Sequence, residues 1–202
     1  MGIKNNARER LIKSAIDLMM AQGYHAVSVN KICYDAHVAK GSFYHYFPAK
    51  WDILKEVIKA RDDFYKDLFY RAMAADISPL AKIRRIFELA CQDQQSVMDA
   101  TGKVAGCTIG NLTLELSYAD EPARQLFQQL FAEYAAIISQ ALKQSMDIGE
   151  IPRRPALPIA QAIFAYLQGI LLLAKTENSP QILEQFADGA IMIAQGLKAY
   201  PA

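Results

Sequence analysis

Histidine and cysteine are scarce in this chain of 202 residues, and their placement narrows the chemistry open to it. The three histidines, His25, His37 and His45, all fall near the N-terminus. The remaining body therefore lacks the usual base partner for a cysteine or serine nucleophile. The three cysteines, Cys33, Cys91 and Cys107, are an odd number at no metal-type spacing. That pattern reads as reduced thiols in a cytosol, not as a disulfide framework. Cys33 and His37 lie four apart, but a zinc site needs about four convergent ligands and no further set presents itself. No metal and no cofactor is implied. Strand-type alternation, internal repeats and low-complexity tracts are also missing. The N-terminus is broken by Lys4, Arg8, Glu9, Arg10 and Lys13, so it has no signal-peptide core. The most apolar run, Ala162 to Ala174, is interrupted by Gln168 and Gly169 and falls short of the roughly 20 residues a bilayer span requires. The expectation is a soluble cytoplasmic protein with no membrane partner.

What is present is helical periodicity, enough apolar residues (52%) to bury a core, and an uneven charge. Residues 1–50 hold seven Lys and Arg against three Asp and Glu, a net +4, which leaves −3 for the remaining 152. A basic head on a mildly acidic body suits a polyanionic partner. Leu11, Ala15, Leu18 and Met19 mark a first helix that Gly23 stops. Ser28 can cap a short second helix with Val29, Ile32 and Cys33 inside, and Lys40–Tyr46 makes a third that Pro48 ends. A long fourth helix runs from about 50 to the low seventies. The body continues with a helix opened by Ser78-Pro79, another over Cys107–Tyr118, and a long one from Asp120-Glu121-Pro122. Two final helices cover about 158–176 and 180–198, after a proline-rich loop. These last two are apolar around most of their girth, through Leu167, Ile170, Leu171 and Ala174 and through Phe186, Ala190, Ile193 and Leu197. That calls for a second cover, best supplied by another copy in an intersubunit four-helix bundle. The expected fold is all-α, about nine helices, with a head over 1–50 and a sensing and dimerisation body over 51–202.

The second and third helices have the size of a helix-turn-helix, in which the second helix enters the major groove. Lys40 offers a donor to guanine acceptors, and Gly41 removes a side chain where the helix approaches the groove. The pattern Ser28-Val-x-x-Ile32, Val38-Ala-Lys-Gly-Ser-Phe-Tyr-His-Tyr-Phe47, Lys50 and Leu54 resembles the signature of the TetR family of transcriptional regulators. The resemblance implies a homodimer on a double-stranded, palindromic DNA operator, released by a small-molecule inducer in the body. It also implies phosphate contacts from Ser28, Tyr44, His45 and Lys50, base contacts from Lys40 and Ser42, and core roles for Phe43 and Phe47. Two positions depart from the family pattern: His37 stands where a glycine is usual in the turn, and Ala39 where a hydroxyl residue is usual. Histidine tolerates a left-handed conformation better than most residues.

In the body, Cys107, Asn111 and Glu115 recur every four residues, so one helix would place them in a column. Phe131, Tyr134 and Tyr166 are candidate aromatic walls of a ligand pocket. The same column could equally be a half-solvated face or a buried network without a ligand. Cys107 follows Gly106 at an expected helix start, where the dipole favours thiolate. The run Gly106–Glu115 resembles a TetR-family branch that includes sensors of quinones and aldehydes. The resemblance implies a reactive Cys107 approached by Lys175, against the plain alternative of a small inert packing cysteine. Two other classes remain in play on the sequence alone: an enzyme with Cys107 as nucleophile, and a helical interaction module that binds no DNA.

Overall fold

The computed structural model describes residues 3–196, with side chains from residue 7 onward; Leu197 and the end of the foreseen last helix lie outside the described residues. All ten helical segments are α: α1 (Ile3–Gln22), α2 (Val29–Asp35), α3 (Lys40–Tyr46), α4 (Lys50–Ala74), α5 (Pro79–Thr101), α6 (Thr108–Leu116), α7 (Glu121–Asp147), α8 (Ala156–Glu177), α9 (Ile182–Gln185) and α10 (Ala187–Gln195). They form two compact units. One comprises the residues up to Phe64 together with Thr108–Arg124; the other comprises Tyr65–Cys107 and the residues from Gln125 onward. The chain thus returns to its first unit for α6, a segment the sequence reading placed in the body.

In the first unit α1, α2 and α3 pack on one another. Leu11, Ala15, Ile32, Phe43, Phe47, Leu54 and Val57 make a fully apolar centre. The boundaries follow local chemistry. Gly23, at φ +81, takes the left-handed conformation that ends α1. The Ser28 hydroxyl accepts from the Lys31 amide and caps α2. Pro48 lies just beyond α3. Arg8 ties α1 to α4, with its guanidinium 2.8 Å from the Glu56 carboxylate and over the Phe47 ring.

In the second unit α5, α8, α9 and α10 pack together, burying Ile83, Phe87, Ala160, Ile163, Ala187 and Ala190. Ser78 caps α5 with Pro79 in its first turn, as the sequence implied. Asn178 ends α8 in the left-handed conformation, and its side chain binds the loop after α5 through the Val104 amide and the Gly102 carbonyl.

Three expectations need correction. The last helix is not continuous: it breaks at Phe186, where the Tyr166 hydroxyl donates to the Phe186 carbonyl at 2.9 Å. Helix α6 begins at Thr108, so Cys107 precedes it. Finally, α8 starts at Ala156 and runs for 22 residues, which makes it long and apolar enough to cross a membrane by length and composition. The residues Ala156–Gln161, ahead of the run Ala162–Ala174, lengthen the apolar stretch on its N-terminal side.

Candidate functional site

The helix-turn-helix is built from α2, α3 and the bend between them. The bend survives without glycine because His37 itself adopts φ 51, while the Val38 amide closes it by donating to the Cys33 carbonyl at 2.9 Å. Ala39 occupies the N-cap of α3 and supplies no side-chain hydrogen bond, the consequence of lacking a hydroxyl there. Inside α3, Phe43 is fully buried and Phe47 follows one turn later against Phe43, 5.5 Å between ring centroids. Because those two rings point inward, the opposite face is left to Lys40, Gly41, Tyr44 and His45, all exposed, with Ser42 half-buried at its edge. Ser28, exposed, caps α2 beside them. A Cβ added at Gly41 would meet nothing within 4 Å, so no intramolecular packing requires glycine there.

Lys50 stands apart from this face. Its ammonium donates to the Tyr24 carbonyl at 2.5 Å and sits 4.0 Å from the centroid of the Tyr24 ring. Burial pushes its pKa down, against the pull of the Glu115 carboxylate. The residue that resemblance assigned to phosphate is thus held against the turn after α1.

In the second unit a narrow cavity lies among α4, α5, α7 and α8. Leu68, Phe69, Ile86, Tyr134, Phe164 and Leu167 form apolar walls, with Tyr134 stacked parallel on Phe69. Its polar atoms come from Tyr65, Asp93, Gln94, Cys107 and Gln168. Gln94, 2% exposed, was missed by sequence reasoning. It accepts from the Gly106 amide at 2.8 Å and donates back to the Gly106 carbonyl and to Asp93, which clips the residue before Cys107 onto α5. The signal existed: Gln94 lies three residues past Cys91 on the apolar stripe of α5, where a polar residue needs a partner.

Of the proposed sensor residues, Cys107 and Tyr134 line this cavity. Asn111, Glu115, Phe131, Tyr166 and Lys175 are not among its lining residues. Glu115 turns its carboxylate to the backbone of the first unit, accepting from the Tyr24 amide at 2.7 Å and the His25 amide at 2.6 Å. Asn111 lies on α6 and is not among the lining residues. Phe131 stands behind the wall, 5.1 Å from the Phe164 ring. Tyr166 faces Phe87 and holds the Phe186 carbonyl. Lys175 is exposed, with its stem passing Gly106: Cδ lies 3.4 Å from where a Cβ on Gly106 would stand.

Comparison with known proteins fits both halves. Residues 11–57 match the model of bacterial regulatory proteins of the tetR family, and residues 79–189 match the LmrA/YxaF-like C-terminal domain of transcriptional regulators. A helix-turn-helix transcriptional regulator from the lacX 3' region of Lactococcus lactis subsp. lactis is 32% identical over 91% of this chain and 90% of its own length. The transcriptional regulator AcuR of Cereibacter sphaeroides is 29% identical, over 89% of this chain and 81% of that one. The crystal structure of a regulatory protein TetR from Rhodobacter sphaeroides superimposes with a TM-score of 0.82 at 28% identity, covering 93% of this chain and 98% of that one. On these matches, with a helix-turn-helix built as described, the chain belongs to the tetR family of bacterial regulatory proteins and is a helix-turn-helix transcriptional regulator, not an enzyme.

Proposed function

We propose that this regulator is a cytoplasmic repressor that grips a palindromic operator as a homodimer and lets go when a small molecule occupies its cavity. The observation that carries the DNA half is the division of α3: two buried phenylalanines fix the helix, and Lys40, Gly41, Ser42, Tyr44 and His45 are left to the groove and the flanking phosphates. Lys40 and Ser42 read base edges, while Ser28, Tyr44 and His45 position the head on the backbone. A dimer fits the apolar outer faces of the last helices. Leu157, Leu172, Leu173, Phe186 and Met192 are all exposed, and Ala162, Ala165 and Gly169 leave room on α8 for a closely crossing helix. Only 39% of the apolar window of α8 is buried within one chain, and a second copy is the cover we assign to the rest.

The cavity supports an uncharged or cationic inducer with aromatic or aliphatic bulk, since its lining holds Asp93 and no lysine or arginine. A covalent variant of the same idea rests on Cys107, whose buried thiol faces that cavity. With a quinone, the sulfur–carbon bond forms as the ring C=C π bond opens, and the thiol proton ends on the electrophile as it becomes the substituted hydroquinone. Binding or addition shifts the protein only by favouring one arrangement over another.

The test is anisotropy binding to a labelled duplex obtained by in vitro selection with the wild-type protein. Lys40→Ala loses a base contact worth about 1–3 kcal/mol and weakens binding accordingly. An unchanged affinity for Lys40→Ala would remove α3 as the reading helix. Release of wild type by a quinone, with Cys107→Ser holding on, supports the covalent variant. Release of both variants alike points to a reversible ligand.

A further inference from the structure

The carboxylate of Glu115 occupies a position that neither half of the functional reading uses. It comes from α6, outside the stretch that matches the family's DNA-binding model, yet it is a member of the first compact unit. Its two oxygens take the consecutive amides of Tyr24 and His25, in the turn that leads from α1 into the helix-turn-helix. Those amides lie between the end of α1 and the Ser28 cap of α2, so no intrahelical carbonyl is available to them. Lys50, at the start of α4, grips the same turn from its carbonyl side through the Tyr24 oxygen and ring. Gly23 completes the arrangement for two separate reasons. Its φ of +81 disfavours a side chain, and a Cβ there would stand 2.7 Å from the nearer Glu115 oxygen. An acid, two amides, a carbonyl and an ammonium thus converge on one tripeptide of backbone at the entrance to the DNA-reading motif.

We infer that Glu115 is a positioning residue for operator binding: by holding the Tyr24–His25 backbone it sets the angle at which α2, and with it α3, is presented to DNA. It touches no DNA itself. The reading predicts an unusual sign. Removing an acid from a unit that binds a polyanion strengthens binding if charge alone decides. Removing this one weakens it, because the turn loses two charge-assisted hydrogen bonds.

The inference rests on the DNA-binding role of the head, and the experiment separates the two. The full-length wild type, Glu115→Ala and Glu115→Gln are titrated against the duplex selected with wild type, and amide hydrogen exchange is followed at residues 24 and 25. The expected result for Glu115→Ala is a loss of affinity of about tenfold or more, with exchange raised in that turn and the melting temperature lowered by only several degrees. Glu115→Gln, which retains one acceptor oxygen, falls between. Equal or tighter binding by Glu115→Ala overturns the inference. If the alanine variant melts far below wild type, the glutamine variant decides: weaker binding supports the role, and wild-type affinity overturns it. A wild type that selects no duplex overturns the reading of the head and this inference with it.

Discussion

The sharpest structural prediction concerns Gly189 in the first turn of α10. A Cβ at this position would stand 2.1 Å from the Tyr166 hydroxyl oxygen, 2.5 Å from Cζ and 3.0 Å from Cε1. Tyr166 is not free to give way. Its hydroxyl donates to the Phe186 carbonyl at 2.9 Å, and its ring packs 6.0 Å from Phe87. Accommodating alanine means swinging the ring out, which forfeits about 1 kcal/mol for the hydrogen bond. Repacking adds the roughly 1–3 kcal/mol typical of overfilled sites. Against this stands a gain of up to about 1 kcal/mol from replacing glycine in a helix, smaller near an end. The balance is a loss of about 1–3 kcal/mol, or a fall in melting temperature of about 2–4 °C for each kcal/mol in a chain of this size. Urea unfolding at fixed protein concentration measures it. Tyr166→Ala, which removes the ring, should make Gly189→Ala harmless, so the double-mutant cycle shows strong non-additivity. If Gly189→Ala is as stable as wild type, or if the two substitutions simply add, the steric argument fails.

Two further predictions address the body. Leu172→Glu places an unpaired charge on an exposed apolar face of α8 and should convert the proposed dimer to monomer in sedimentation velocity; a persistent dimer would move the interface elsewhere. Glu150 caps the start of α5, accepting from the Leu80 amide at 3.0 Å and the Ser145 hydroxyl at 2.7 Å. Burial pushes its pKa up, but these bonds and one from Ser78 outweigh it and hold the carboxyl below its ordinary 4.5. A depressed folded-state pKa contributes stability that is present above the unfolded value and lost as pH falls through the folded one. The stability gap between wild type and Glu150→Gln should therefore be full at neutral pH and close on acidification below about 4.5, as read by melting curves across pH.

The head was legible in the sequence because its constraints are local. Ser28 as a cap, the ends of α3, the inward pair Phe43 and Phe47, and the left-handed tolerance of His37 all depend on neighbours within a few positions. The body was legible only as far as its helices. A four-residue spacing says that Cys107, Asn111 and Glu115 share a face if one helix holds all three. It does not say what covers that face. The helix in fact starts after Cys107, and Glu115 finds its partners some 90 positions away in the chain. The break at Phe186 was equally invisible, since no proline or glycine marks that point. Its carbonyl is taken by Tyr166 from another helix.

Glycines inside helices offer a way to tell which surfaces this chain keeps for other molecules. Glycine costs about 1 kcal/mol relative to alanine in a helix interior, so each one needs a reason. Gly189 has its reason within the chain, in Tyr166. Gly41 and Gly169 do not: a Cβ at either would meet nothing within 4 Å, and neither has a positive φ. One lies on the exposed face of α3 and the other on the exposed face of α8, the two surfaces assigned to DNA and to a second copy. Gly41→Ala should therefore leave the free protein as stable as wild type, or slightly more so, while weakening operator binding because a methyl now stands between α3 and the groove. Melting without DNA must hold or rise while the affinity read by anisotropy falls. If both improve, the glycine at position 41 has no role in approach to DNA, and α3 meets the groove with some other part of its surface.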